Sequence, residues 1–235
     1  ANEVIANRAD ELLGGTKGSY RHVHPNDHVN MAQSTNDIIP SAGKLTVLKL
    51  LVPLFGELER LFDALLKKSK EFDHILKMGR TQLQDAVPMR LGQSFHAYAS
   101  VIRRDIDRLE NAQKEMYRLN MGGTAIGTAI NVSHSYLQHI CPKIAELTGL
   151  PFASADDLFD ATQNLDGFVT VSSSLKTCAV NLSKLCNDLR LLSSGPRTGF
   201  AEITLPPKQN GSSIMPGKVN PVIPEVVSQV AFNII

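Results

Sequence analysis

The sequence has almost no excess of charge of either sign. Among 235 residues, 24 are Lys or Arg and 23 are Asp or Glu, so the net charge is +1. Proteins that bind nucleic acids usually have a clustered basic face, and this balance argues against a nucleic-acid partner. Apolar residues make up 43% of the chain, which excludes an intrinsically disordered protein.

Long apolar runs are also missing. No run approaches the roughly 20 residues that a membrane-spanning helix needs. The nearest candidate, residues 45–55, contains Lys49 and Pro53. The first residues of the chain are polar and charged, which does not fit a signal peptide. We therefore expect no membrane partner.

Cysteine is scarce, and its three copies are Cys141, Cys178 and Cys186. An odd and low count gives no disulfide framework. Cys178 and Cys186 lie in an apolar stretch with helical spacing, where buried thiols are expected. A reducing cytoplasm is the compartment that fits this pattern best.

The two ends of the chain are unusual. It begins at Ala1 rather than at a methionine, and it stops at Ile235 inside an apolar run with no helix-capping residue. We therefore expect the chain to be a piece of a longer protein.

Three stretches contain neither glycine nor proline, namely residues 57–78, 93–121 and 168–194. Each is longer than the ~11–12 residues of an average helix, and each repeats apolar residues at helical spacing. The three apolar faces are Leu58, Leu61, Phe62, Leu65 and Leu66; Phe95, Tyr98, Ile102, Ile106, Leu109, Ala112, Met116 and Leu119; and Val171, Leu175, Cys178, Leu182, Leu185, Leu189 and Leu192. The third face is a heptad seam, which requires a partner helix along its length.

No comparable signal for β-strands exists, because β-branched residues do not alternate in runs between turn residues. The sequence therefore predicts an all-α fold of long helices packed as a bundle. The partner of the heptad seam comes either from the same chain or from another subunit, and the pattern fits both.

Polar segments with glycine or proline separate the predicted helices, and functional residues often lie on such loops. These segments are residues 14–40, 79–92, 121–135 and 195–221. In the first, His24 and His28 are four residues apart, but Pro25 argues against a regular helix there, and we expect no metal site. Residues 34–37 fit a helix N-cap and also an anion pocket at a helix N-terminus.

The next two segments differ in character. In residues 79–88, Arg80 and Asp85 fit a structural ion pair, whereas Thr81 and Gln82 are candidates for ligand binding. Residues 122–131 are rich in glycine, which permits close approach of the backbone. They do not form a G-x-G-x-x-G fingerprint within a βαβ unit, so a dinucleotide site is not expected.

Residues 211–221 read Gly-Ser-Ser-Ile-Met-Pro-Gly-Lys-Val-Asn-Pro and fit a mobile lid. Two hydroxyl groups and Lys218 lie within seven residues, and a nearby lysine lowers the cost of forming a serine alkoxide. Neither a G-x-S-x-G elbow nor the spacing of a Ser-His-Asp triad occurs here.

Several separated segments together resemble one known family, the fumarase/aspartase superfamily. Residues 211–221 look like its signature loop. Further matching segments follow the family order along nearly the whole chain, at residues 2–9, 24–37, 79–88, 122–131 and 189–197.

The resemblance implies an all-α homotetramer with a central bundle of long helices, in which loops of three subunits build each active site. Residues 1–235 would then be the central helical domain, without the flanking N- and C-terminal domains of the family. The implied reaction is an anti elimination across a Cα–Cβ bond that yields fumarate. No cofactor is implied.

Within the family, Gln82 and residues 33–37 favour the branch that eliminates ammonia from aspartate, because other members carry histidine where Gln82 stands. Two alternatives remain open at this point. The chain could belong to a fumarate hydratase, which acts on malate and fumarate, or it could be a catalytically silent oligomeric fragment.

The resemblance also implies roles for particular residues. Ser212 would be the general base that takes a proton from Cβ, and Lys218 and Asn220 would bind the doubly charged aci-carboxylate that forms. The residues implied to hold the other carboxylate and the amino group are Ser34, Thr35, Asn36, Thr81 and Gln82. His24 and Asn26 match a secondary anion-binding segment.

Overall fold

Long helices dominate the computed structural model, which describes residues 1–235. The α-helices are α1 (Asn2–Leu12), α2 (Thr35–Glu71), α3 (Leu91–Ala112), α4 (His134–Thr148), α5 (Leu158–Gln163), α6 (Asp166–Leu192) and α7 (Val222–Ile234). A π-helical turn spans Pro25–Val29, and a 3-10 helix spans Gln113–Tyr117. The predicted helical architecture is confirmed.

Four short strands form two small sheets. β1 (Leu76–Thr81) and β2 (Gln84–Arg90) form an antiparallel hairpin in which Thr81 pairs with Gln84. β3 (Arg118–Leu119) and β4 (Ala153–Ser154) pair in parallel. The expectation that no strand would occur is wrong at the hairpin. β2 is exposed along most of its length, so it lacks the apolar alternation that reveals a half-buried strand.

The chain divides into two compact units. The first unit comprises Ala1–Lys49 and Lys114–Phe168, and the second comprises Leu50–Gln113 and Val169–Ile235. The unit boundaries fall within α2 and near the start of α6, so both long helices contribute residues to each unit.

The first unit has a core of side chains from several elements. Its buried apolar members are Ala6, Leu48, Met116, Leu119, Met121, Cys141 and Phe152. Helix α4 is capped at its start by Ser133, whose Oγ accepts a hydrogen bond from the Tyr136 backbone N–H at 3.2 Å, and at its end by Gly149 in the left-handed conformation. These two caps fit the helix start and stop preferences of serine and glycine.

The second unit is held together by α3 and its neighbours. Arg103 on α3 donates to both carboxylate oxygens of Glu59 on α2, at 2.7 and 2.6 Å. Its guanidinium group lies 4.3 Å from the ring centre of Phe62. On the α6 side, the Tyr98 hydroxyl donates to Asp188 at 3.0 Å. The bidentate pair between Arg103 and Glu59 fixes the relative orientation of α3 and α2 as well as adding electrostatic attraction.

The predicted apolar faces are confirmed. All eight residues of the face predicted within 93–121 are buried, and the seven residues of the α6 seam are buried or half-buried. The helix predicted to reach residue 121 ends at Ala112, however, so Met116 lies in the 3-10 helix and Leu119 in β3. Cys178 and Cys186 are buried, as predicted, and Cys141 is buried as well. Burial raises the pKa of the Cys178 thiol to about 12.

Helix α2 begins at Thr35, directly after the predicted N-cap, and includes the last residues of the polar segment 14–40. It passes through Pro40 and Pro53, which lie outside the stretch 57–78 in which a long helix is predicted. Proline removes a backbone donor, and the burial of Leu48, Leu51 and Leu58 on the same helix compensates for the lost hydrogen bonds.

Helix α2 is also long and apolar enough to bear on the expectation that no segment of this chain has the length of a membrane span. Within α2, an 18-residue window reaches a mean hydropathy of 1.6, so by length and composition alone this helix could cross a membrane. The expectation that nothing approaches this length was wrong, because Lys49 and Pro53 interrupt the apolar run without ending the helix. A core helix of a water-soluble protein passes the same test.

Candidate active site

The N-terminus of α2 presents three of the predicted substrate-binding residues. Ser34 Oγ accepts from the Asn36 backbone N–H at 3.2 Å, and the Ser34 N–H donates to Asp37 Oδ1 at 2.9 Å. The predicted N-cap is therefore confirmed. Thr35 and Asn36 in the first turn are exposed, so their side chains are accessible to a ligand at the positive end of a 37-residue helix.

The Asn36 side chain is oriented by the glycine-rich loop of residues 122–127. Its Nδ2 donates to the Ala125 backbone carbonyl at 2.7 Å, and the Asn36 backbone carbonyl accepts from Asn120 Nδ2 at 2.9 Å. One of the two Nδ2 hydrogens is thus engaged, and Oδ1 has no hydrogen-bond partner within the chain, so it is available to accept a hydrogen bond from a ligand.

Thr35 and Asn36 line a cleft of about 790 Å³ within the first unit. Its remaining lining residues are mostly apolar, namely Ile39, Pro40, Gly43, Thr162, Leu165 and Phe168. An apolar wall with a few polar groups at one end is typical of small-molecule sites.

The β1–β2 hairpin carries Thr81 and Gln82 at its tip. Gln82 and Leu83 form the two-residue loop, with φ angles of +52° and +66°. Asn-Gly usually occupies such turns, because non-glycine residues are strained in this region. Thr81 and Gln82 are both exposed, so the turn presents two polar side chains to solvent at a cost in backbone strain.

Glu202 anchors strand β1 of this hairpin. Its carboxylate pairs with Arg80 and with Lys77, the latter at 2.9 Å, and all three side chains are at most one-fifth exposed. Arg80 also lies 4.3 Å from the ring centre of Phe200. Burial works to raise the pKa of Glu202, but the two cations outweigh it and the pKa is lowered.

The predicted Arg80–Asp85 pair is present but long, at 3.8 Å. Sequence reasoning missed Glu202 as the main partner of Arg80. One signal was available, since Glu202 is the only acidic residue in the polar segment 195–221.

Residues 211–218 fold back on themselves. The Ser212 N–H donates to the Lys218 carbonyl at 3.1 Å, and the Lys218 N–H donates to the Met215 carbonyl at 3.0 Å. The Met215 N–H in turn donates to Ser212 Oγ at 3.3 Å. This arrangement brings the backbones of Ser212 and Lys218 together, with Ser212 half-buried and Lys218 exposed.

Lys218 and Asn220 line a second cleft, of about 610 Å³, within the second unit. The opposite wall comes from the segment that follows α6, including Ser193, Gly195 and Ala201. Ser212 does not line this cleft, although its backbone is bonded to Lys218. The structure thus places Lys218 and Asn220 on one cleft and Ser212 beside it.

The predicted site residues divide between the two units. Ser34, Thr35 and Asn36 belong to the first unit, whereas the hairpin pair, Thr81 and Gln82, belongs to the second together with the residues of the 211–221 loop.

His24 and His28 form a local hydrogen-bonded turn. The Nδ1 atom of His24 accepts from the backbone N–H groups of Asn26 and Asp27, and the His28 Nδ1 accepts from the His24 N–H at 2.8 Å. The turn is a π-helical one rather than a regular α-helix. No group of three or more His, Cys, Asp or Glu side chains is placed to hold a metal ion.

Comparison with known proteins gives consistent matches over the full chain. The chain is 53% identical over 235 residues to the aspartate ammonia-lyase of Bacillus subtilis and 58% identical over 234 residues to that of Helicobacter pylori. Each match covers 100% of this chain and 50% of the relative. The chain therefore spans about half the length of the curated relatives it matches.

Two solved structures share the fold. A fumarate lyase:delta crystallin from Brucella melitensis, bound to cobalt, is 51% identical with a TM-score of 0.96; the match covers 100% of this chain and 51% of that one. A class II fumarase from Schistosoma mansoni is 38% identical with a TM-score of 0.95, over 99% of this chain and 52% of that one. A family model described as Lyase matches residues 1–235. The chain belongs to this lyase family, within the fumarase/aspartase superfamily.

Proposed function

We propose that the protein containing this chain is an aspartate ammonia-lyase, which eliminates ammonia reversibly from L-aspartate to give fumarate. The observation that carries this proposal is the identity of 53% and 58% to two aspartate ammonia-lyases, each over 100% of this chain. The elimination breaks a C–H bond at Cβ and a C–N bond at Cα, in the anti geometry, and the ammonia carries away the electron pair of the C–N bond.

Ser212 is the proposed general base for the Cβ proton. A serine hydroxyl is a poor base unless its alkoxide is stabilised, and a hydrogen bond to the charged form favours that form. The Met215 N–H donates such a bond to Ser212 Oγ. The half-buried position of Ser212 also limits competition from water.

Lys218 and Asn220 are the proposed ligands of the aci-carboxylate. Removing the Cβ proton places a second negative charge on the neighbouring carboxylate, and fixed donors aimed at developing charge lower the barrier. An ammonium group and an amide from one loop line the same cleft, which supports this pairing of roles.

The other carboxylate and the amino group are assigned to the remaining predicted residues. Ser34 and Thr35 lie at the N-terminus of α2, where backbone N–H groups attract an anion, and Thr81 and Gln82 add donors from the hairpin tip. Asn36 presents Oδ1 as an acceptor, which matches the N–H groups of the substrate ammonium group.

We also propose a cytoplasmic homotetramer whose active sites combine loops of several subunits. Large apolar side chains at helical spacing are exposed along one face of α7, namely Ile223, Val226, Val230 and Ile234, each about half exposed. Contiguous exposed apolar surface is typical of protein–protein interfaces. Residues 1–235 serve in this proposal as the central helical domain, with flanking domains supplied by the rest of the protein.

A second candidate is fumarate hydratase, which the close fold match to a class II fumarase favours. The two functions differ in the leaving group, so the test offers aspartate and malate separately and follows fumarate by its ultraviolet absorbance. We expect fumarate from aspartate alone. Fumarate from malate alone would establish the hydratase, and absence of fumarate from both would support a silent oligomeric chain.

A further inference from the structure

A single buried carboxylate joins two loops of the first unit that are far apart in sequence. Asp37 is fully buried. Its Oδ1 accepts from the Ser34 N–H at 2.9 Å, and its Oδ2 accepts from the N–H groups of Gly122 at 3.2 Å and Thr124 at 3.1 Å. One oxygen therefore serves the start of α2, and the other serves the glycine-rich loop 85 residues later.

Helix capping alone does not account for this geometry. A residue at the third helical position caps α2 by accepting from the Ser34 N–H, and Oδ1 does this by itself. The two bonds to Oδ2 add nothing to the helix end. They hold the backbone of residues 122–124 against it.

The glycine-rich loop needs such a restraint. Thr124 has a φ of +58°, a conformation that β-branched residues rarely adopt. Its hydroxyl oxygen is buried and has no hydrogen-bond partner, so the side chain does not compensate for the strain. The bond from its N–H to Asp37 is the contact that holds this residue in place.

The restrained loop in turn orients a proposed substrate ligand. Ala125 follows Thr124 directly, and its carbonyl accepts from Asn36 Nδ2 at 2.7 Å. Asp37 therefore acts on Asn36 from two sides, through the cap at Ser34 and through the loop that fixes the Asn36 amide.

We propose that Asp37 is a positioning residue that sets the orientation of Ser34 and Asn36 toward substrate by coupling the start of α2 to residues 122–125. This role rests on the proposed function, because it presumes that Ser34 and Asn36 bind the substrate. Asp37 itself is buried and acts through these residues without touching the substrate.

The test compares Asp37→Asn with Asp10→Asn in the complete gene product. Asp10 is the matched control, because it is also fully buried in the first unit and accepts from backbone N–H groups, those of Arg21, His22 and Val23. Neither Asp10 nor its partners belong to the proposed site. In Asp37→Asn an amide nitrogen replaces one acceptor oxygen, so one of the two loops loses its anchor.

We expect both variants to unfold at a lower temperature than the wild type. Only Asp37→Asn should raise the KM for aspartate, by about 10- to 100-fold, the scale of loss that small misplacements cause. Asp10→Asn should keep a KM within about twofold of the wild type, as expected for a change outside the site. A wild-type KM in Asp37→Asn, or an equal rise in Asp10→Asn, would overturn the positioning role.

Hydrogen exchange of the wild-type protein provides a second test if Asp37→Asn does not fold. The amides of Gly122 and Thr124 should be protected, and saturating fumarate should slow their exchange by about tenfold or more, because local opening governs such exchange. Exchange at the rate of a free peptide, or exchange unchanged by fumarate, would contradict the coupling. A wild-type protein that forms no fumarate from aspartate but shows protected amides would instead contradict the proposed function.

Discussion

Glu202 holds Arg80 close to the tip of the β1–β2 hairpin, and it does so from a segment more than 100 residues further along the chain. The contact joins an otherwise exposed hairpin to the stretch after α6 that lines the Lys218 cleft. Lys77 and the ring of Phe200 complete the anchor. Because Thr81 and Gln82 follow Arg80 directly, the orientation of the hairpin tip depends on this ion pair.

Replacing Glu202 by glutamine should therefore affect both stability and substrate binding. The Glu202→Gln variant loses the charge that pairs with two cations, and we expect a lower unfolding temperature and a KM for aspartate raised about 3- to 10-fold. Steady-state kinetics and a thermal melt measure the two effects. Glu57→Gln is the control, because the Glu57–Arg60 pair is exposed and exposed pairs contribute little. Equal changes in the unfolding temperature and in the KM for aspartate in the two variants would contradict the anchoring role of Glu202.

The buried carboxylate of Asp10 should make stability depend on pH. Burial works to raise the pKa of Asp10, but bonds from Val23, His22, Ser19 and Arg21 outweigh it, and the pKa lies below its ordinary value of 3.8. A folded-state pKa below the unfolded value stabilises the protein above the unfolded pKa, and this stabilisation is lost as pH falls through the folded pKa.

Urea unfolding of the wild type and Asp10→Asn measures this contribution. The difference in free energy of unfolding between them should be largest near neutral pH and should shrink as pH falls below 3.8. Asp63→Asn, at an exposed position on α2, controls for removal of a surface carboxylate. If the difference in free energy of unfolding between the wild type and Asp10→Asn stays constant or grows in acid, the lowered pKa of Asp10 is contradicted.

The core of the helical bundle should be intolerant of cavities. Leu109 on α3 is fully buried, and we expect Leu109→Ala to lower the free energy of unfolding by about 2–5 kcal/mol. Leu147 on α4 is 74% exposed, so Leu147→Ala should change it by about 0.5 kcal/mol or less. Similar losses in the two variants would show that α3 is not the core helix described.

The hairpin tip stores strain that glycine should relieve. Leu83 has a φ of +66° and an exposed side chain, and glycine adopts this conformation without steric cost. We expect Leu83→Gly to raise the free energy of unfolding by up to about 1 kcal/mol, since the relief of strain exceeds the added chain entropy. A loss of stability would indicate that the Leu83 side chain packs against something in the folded protein.

The sequence predicted α3 and α6 well because each buries one continuous face. The repeated apolar positions from Phe95 to Ala112 follow the helical period along α3, and all of them are buried. The same spacing continues to Leu119 in the sequence, but the chain leaves the α-helix after Ala112. The N-cap at residues 34–37 indicates the start of α2, but its continuation to residue 57 was not predicted, because Pro40 and Pro53 normally break helices. Only tertiary packing compensates for them.

The candidate site was predictable where motifs are local and was missed where they are not. The N-cap of Ser34 and the loop around Ser212 can be recognised from neighbouring residues. Asp37 and Glu202 act on partners such as Gly122 and Arg80, which lie far away in the sequence. No local pattern reveals which distant groups a buried carboxylate will meet.

The most direct test of the proposed mechanism compares the turnover of aspartate by the Ser212→Ala variant with that by the Ser213→Ala variant. Both variants remove one hydroxyl from the same loop, but Ser213 is exposed and has no assigned role. We expect kcat to fall about 10²- to 10⁴-fold in Ser212→Ala, the usual contribution of a general base, and to stay near the wild-type value in Ser213→Ala. Near wild-type turnover by Ser212→Ala would contradict the assignment of Ser212 as the base and the proposed mechanism with it.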